Sequence, residues 1–182
     1  MAPLVELAFD ADTVSWEDND VWGPDGVLAG LVTLKLRGQT ILDSEHVGLN
    51  SSALSLLRAL TQNHVAVASE AEAFDAPQPL FFCAGALANH CGVVHDFSVM
   101  RHADDVILSA FWDCEVPSNT VIQLPWLAWA EVVTEFASRV LERLPRVTPP
   151  IVSQDYREAY VATRDKLHTR LDDARERMRN SE

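Results

Sequence analysis

Basic residues are scarce in the first hundred positions, where only Lys35, Arg37 and Arg58 stand against thirteen Asp and Glu. Over all 182 residues there are 14 Lys and Arg and 27 Asp and Glu, a formal net charge of −13. A nucleic-acid backbone needs Lys and Arg to displace its counterions, and anionic membrane attracts the same residues, so both partner classes are disfavoured. Cysteine is nearly missing. Cys83, Cys91 and Cys114 form an odd, sparse set, which argues against a disulfide scaffold and fits a reducing compartment. No apolar run approaches the ~20 residues that span a bilayer. The opening Met-Ala-Pro-Leu-Val-Glu has neither the basic nor the apolar region of a secretory signal. These absences together predict a soluble, cytoplasmic protein.

Catalytic and phosphate-binding signatures are missing as well. There is no Gly-x-Ser-x-Gly elbow, Walker A loop, Gly-x-Gly-x-x-Gly or His-Glu-x-x-His, which lowers the odds of an enzyme. Such absences do not exclude one, because triads are set by geometry rather than by spacing. No cofactor is expected. No repeat of fixed period and no low-complexity tract occurs.

What is present is an ordinary globular composition, 48% hydrophobic and 23% charged, enough for one packed body. Residues 4–9 alternate as a strand, and residues 27–37 do so again, with a turn leading to a short strand at 41–42. Asn50, Ser51 and Ser52 offer helix caps for an apolar stripe over 52–62. Short strands are expected at 64–68 and 80–83. Residues 93–100 and 106–112 read as a hairpin pair, followed by a strand at 120–124. Trp126, Trp129, Val133, Phe136, Val140 and Leu144 mark an amphipathic helix over 125–144. The fold class predicted is α+β: one antiparallel sheet of about six strands against two amphipathic helices, plus a long charged C-terminal helix. Residues 1–150 form the domain and 151–182 the helical extension. Half of the basic residues lie at 154–179, on a thin seam of Tyr160, Leu167, Leu171, Ala174 and Met178. That seam suits packing on the body, pairing with a second copy as a homodimer, or a fraying end.

Six acids, Asp10, Asp12, Glu17, Asp18, Asp20 and Asp25, crowd one segment without a basic residue, together with Trp16 and Trp22. The carboxylates suit steering of a cationic partner, and a Trp suits an interface anchor. The competing readings are a solvated loop and tryptophans that pin it to the core. A calcium loop fails, since the twelfth position counted from Asp10 or Asp18 is Val21 or Ala29 rather than Glu. Cys83, Cys91 and His95 make the best metal cluster, but without knuckle spacing; buried small thiols and a core histidine are the stronger reading. The expectation is no metal.

A small, strongly acidic domain without catalytic motifs resembles the immunity proteins of bacterial toxin systems. The resemblance is one of composition, and no family residue is carried over. It implies a non-enzymatic inhibitor that recognises a basic protein. The alternatives are an enzyme or small-molecule binder with a pocket near residues 83–96, and a structural subunit assembled through the C-terminal helix.

Overall fold

The computed structural model describes residues 3–17, 27–66, 79–82, 94–144 and 154–180, without the side chains of residues 16, 17, 27, 82 and 154–160. The chain is α+β, as the patterning predicts. Its strands, however, form two antiparallel sheets rather than the expected single sheet of about six strands.

Strand β1 (Val5–Phe9) buries Val5, Leu7 and Phe9 on one face. Strand β2 (Ser15–Glu17) follows. Both lie along one side of β3 (Val27–Leu36), and β4 (Gln39–Gly48) takes the other side. Arg37 (φ 50°) and Gly38 (φ 79°) make the two-residue turn between β3 and β4. Two successive positive φ values match the twist of the strands that they join. The short strand expected at 41–42 is therefore ten residues long. The run Asp43-Ser44-Glu45 hid it, because a register shift and Ser44 at φ 58° break the alternation there. Among the described residues, no strand other than β3 pairs with β4. Its Ile41 carbonyl accepts the Glu115 N–H at 3.0 Å.

Helix α1 (Leu49–Thr61) starts before the expected caps. Among the described residues, no side chain caps its N-terminus. Asn50 instead accepts the Leu28 N–H with its Oδ1 at 3.2 Å, and Ser51 donates to the Gly48 carbonyl. The helix lies close on β3. A Cβ at Gly30 would stand 3.1 Å from Leu49 Cδ1, so a side chain there would require Leu49 to give by a few tenths of an ångström.

The second sheet has the order β5 (Phe81–Phe82), β6 (Val94–His102), β7 (Asp105–Trp112), β8 (Val121–Pro125). Of the strand expected at 64–68, residues 67 and 68 lie outside the described residues, and His64 makes a bridge to Val99 on the β5 side of β6. Helix α2 (Trp126–Arg143) buries Trp126, Trp129, Val133, Phe136 and Val140, the stripe read from the sequence. It spans both sheets: Phe136 meets Phe9 edge-on at 5.8 Å between ring centroids, and Trp129 meets Phe97 at 6.2 Å.

Helix α3 (Gln154–Arg179) rests on α1 and α2. Leu167, Leu171 and Ala174 are buried in the same apolar core as the sheets. Arg175 donates to Ser138 Oγ at 2.9 Å and Thr134 donates to Met178 Sδ at 3.8 Å, which fixes the register on α2. Four seam residues, Leu167, Leu171, Ala174 and Met178, pack against this chain's own core, and the side chain of Tyr160 lies outside the described residues. Among the described residues, no helix is long and apolar enough to cross a membrane.

Candidate functional site

The acidic segment is placed only in part. Asp10 and Asp12 are exposed. Asp10 is also structural, because its Oδ1 accepts the Asp12 N–H at 3.0 Å and its carbonyl accepts from Thr13. Trp16 and Glu17 are placed by backbone alone, opposite Leu28 and Val27 on β3. Asp18, Asp20, Trp22 and Asp25 lie outside the described residues, as do Cys83 and Cys91 of the metal alternative.

The polar groups that the fold does bring together are centred on β6. Asp96 is fully buried. Its Oδ1 accepts from His64 Nε2 at 2.8 Å and from the Leu80 N–H at 3.0 Å. A buried carboxylate is tolerated only with such partners. His64 is buried too, and its backbone pairs with Val99 in both directions. Ser98 Oγ accepts the Ala66 N–H at 2.9 Å. Asp96 and Ser98 thus fasten residues 64–66 and 80 to the middle of the second sheet.

His95, the next residue along, faces elsewhere. Its Nδ1–H donates to the Asp113 carbonyl, and the Asp113 carboxylate lies 3.8 Å from the same nitrogen. Its Nε2 is 3.5 Å from Glu45 of the first sheet. The two carboxylates approach opposite nitrogens of one ring and do not converge on a point. Among the described residues, no group of three His, Cys, Asp or Glu side chains is placed to hold a metal ion.

Cys114 donates to the carbonyls of Trp112 (3.2 Å) and Asp96 (3.8 Å). Burial pushes its thiol up to about 12, and the negative charges of Asp96 and Asp113 add to the effect. Such a thiol carries almost no thiolate at neutral pH and is a poor nucleophile. Burial, then the neighbouring Arg170, moves the Arg58 guanidinium below its ordinary value, and Asp96 opposes that shift.

A surface depression of about 370 Å³ lies between the β3–β4 turn and β8. Its polar groups bind one another: Arg37 Nε donates to the Gln123 carbonyl at 2.9 Å, and Gln123 Nε2 donates to Asp105 at 2.6 Å. Sequence reasoning missed that His64 supplies the partner for Asp96. The one signal was a carboxylate in the middle of an apolar strand, which demands a donor from elsewhere. Comparison with known proteins gives no relative: no family model, no curated protein and no solved structure matches the chain.

Proposed function

We propose that this chain is a non-enzymatic acidic binding protein whose partner is a basic protein. The observation that supports it is where the cations of the body go. Arg37 binds the Gln123 carbonyl, Arg101 lies 4.0 Å over the Trp126 ring, and Arg139 lies 5.1 Å over Phe9. Between described residues, Arg–carboxylate pairs occur on α3, at Arg164–Asp165 and Arg175–Asp172. Glu6, Asp43, Glu115, Glu131 and Glu135 are exposed on the body, with no cation within 4.0 Å among the described residues. Unpaired surface carboxylates on a chain of net charge −13 create a field that concentrates cationic partners and speeds their encounter.

The immunity-like role and the steering by Asp10, Asp12, Glu17, Asp18, Asp20 and Asp25, with Trp16 or Trp22 as anchor, belong to this proposal. A second reading, a small-molecule binder or enzyme, draws support from the His64–Asp96 pair. In this conformation both members are sealed from solvent, with side-chain exposures of 2% and 0%.

Capture from the source lysate at low and at high salt tests the choice, followed by reconstitution with the purified partner. A basic protein held at low salt and released at high salt supports the proposal. No protein partner, together with a small molecule retained in native mass spectrometry, supports the second reading.

A further inference from the structure

A strand at the margin of a sheet offers unpaired main-chain groups, and folded proteins blunt such margins with shortness, charge, proline or bulges. Among the described residues, the marginal strands follow this rule with one exception. β1 carries Glu6 and β2 carries Glu17. β4 carries Asp43 and Glu45, and its register on β3 shifts between Glu45 and Leu42. β5 is two residues long. β8, Val-Ile-Gln-Leu-Pro, has no charged residue, and it pairs with β7 without a break from Asp105↔Pro125 to Ser109↔Val121. The bulge of β7 lies beyond that ladder. There the β6 pairing skips a residue between Ser98↔Ser109 and Asp96↔Trp112, with Ala110 at φ 52°, where glycine is favoured. The skip turns Phe111 into the core and leaves Trp112 45% exposed, and no β8 residue takes part in it.

The parity of the ladder fixes which groups of β8 are open. His102 and Asp105 close the two-residue turn between β6 and β7, so Asp105, Ile107 and Ser109 turn their main chain toward β6. Val106 and Leu108, between them, bond to β8 through Leu124 and Ile122. Val121 and Gln123 therefore point their N–H and C=O groups away from the sheet. Pro125 has no N–H and ends the open stretch. The Arg37 Nε bond to the Gln123 carbonyl, at 2.9 Å, arrives from that outer side. Among the described residues, no main-chain bond reaches the N–H of Val121 or Gln123. The depression of about 370 Å³ lies along the same margin, with Arg37 and Gln39 of the β3–β4 turn on one side and Val121, Ile122 and Gln123 on the other.

We propose that this margin of β8 takes up an extended segment of a partner protein as a further strand, and that the segment carries a carboxylate for Arg37. Main-chain bonds to Val121 and Gln123 hold the segment. Its N–H takes the Gln123 carbonyl and releases the Arg37 guanidinium. The nearest carboxylate of this chain, Asp105, is already engaged by Gln123 Nε2 at 2.6 Å. An Asp or Glu of the segment therefore gives the guanidinium its new acceptor. An apolar side chain of the segment lies beside Val121, which is 66% exposed. A second copy of the chain fits less well: its β8 has no carboxylate to offer, and two chains of net charge −13 repel each other. The inference goes beyond the acidic-binding reading, since it asks no positive charge of the occupant.

The test is an NMR titration of the full chain with the hexapeptide Val-Thr-Val-Asp-Val-Thr, acetylated and amidated. The expected result is saturable shifts at the Val121 and Gln123 amides and at Arg37 Nε–H, with slowed exchange of the two amides. The same peptide N-methylated at every residue keeps its side chains but has no donors, and should not bind. Gln123→Pro removes the outward donor without touching the β7 ladder and should cost ~10-fold in affinity. Gln123→Thr keeps that donor and should cost little. Arg37→Gln should weaken the Asp peptide ~3-fold and leave its Asn counterpart unchanged. If Gln123→Pro fails to fold, the N-methylated peptide and the shifts in the native chain decide. Shifts that miss β8, or equal binding of the N-methylated peptide, overturn the added strand. Equal effects of Arg37→Gln on the Asp and Asn peptides overturn the carboxylate. Protection of the Val121 and Gln123 amides that grows with protein concentration, without peptide, assigns the margin to a second copy and overturns the proposal. None of these results bears on salt-dependent capture of a basic protein, so the acidic-binding reading stands or falls separately.

Discussion

Replacing Asp96 by Ala removes the acceptor on which His64 Nε2 and the Leu80 N–H converge, at 2.8 and 3.0 Å. Asp96 and His64 are both buried, so water cannot replace the lost bonds without opening the structure. Each orphaned buried donor costs about 1–3 kcal/mol. Removing one partner of a buried ionisable pair costs about 3–5 kcal/mol, which covers the same loss seen as a pair. The expected destabilisation of Asp96→Ala is therefore about 3–5 kcal/mol, a large part of the ~5–15 kcal/mol of a typical domain. Asp96→Asn keeps one acceptor oxygen of the same shape and should cost about 1–2 kcal/mol. Urea denaturation measures both, through midpoints at unchanged slope. A cycle with His64→Ala should show at least ~1.5 kcal/mol of coupling, since the two side chains share one bond. If Asp96→Ala shifts stability by less than ~1 kcal/mol, the buried network is not holding residues 64–66 and 80 to β6, and the reasoning fails.

In a Cys83→Ser, Cys91→Ser background, Cys114 should react with a disulfide reagent at least ~30-fold more slowly than an ordinary thiol at mildly alkaline pH. A rise from 9.0 to about 12 lowers the thiolate population about a thousandfold, and the greater basicity of that thiolate restores part of the rate; rapid labelling would show that the site is open. Because the folded state favours the neutral thiol, its contribution to stability is full below pH 9.0 and is lost as pH rises toward about 12. The wild type should therefore lose its stability advantage over Cys114→Ser in that window. Ala110→Gly should raise the melting temperature slightly, because the left-handed strain of about 1–2 kcal/mol outweighs the extra flexibility of Gly. Ala110→Val should lower it, and equal effects of the two would refute the bulge strain. Leu167→Ala and Leu171→Ala should each cost about 2–5 kcal/mol. If they leave stability intact while light scattering reports a change in mass, the seam joins two copies instead.

Periodicity made much of the architecture readable. The helical stripe from Trp126 to Val140 and the hairpin of β6 and β7 need only local information, because each pattern repeats within one element. β4 was cut short because a bulge at Ser44 and a polar run erase the alternation on which strand reading depends. The start of α1 was misplaced because Asn50 and Ser51 resemble caps but serve as ties from inside the helix. Strand grouping was wrong for another reason. Which edge of β4 meets which loop is a matter of one Glu115 N–H and no sequence pattern. The acidity of the chain is plain from composition, whereas a single skipped residue at Ala110 reverses which of Phe111 and Trp112 faces out, which no alternation pattern foretells.

The sequence by itself determined the fold class, the charge, the helix faces and the scarcity of cations, because all of these follow from residue identity and short-range spacing. Only the tertiary structure decided that Asp96 finds His64 across 32 residues, that α3 is buried against this chain, and that Phe111 goes in while Trp112 stays out. Those outcomes depend on how distant segments meet and on the phase of one bulge, and neither distance nor phase is written in the local pattern of side chains.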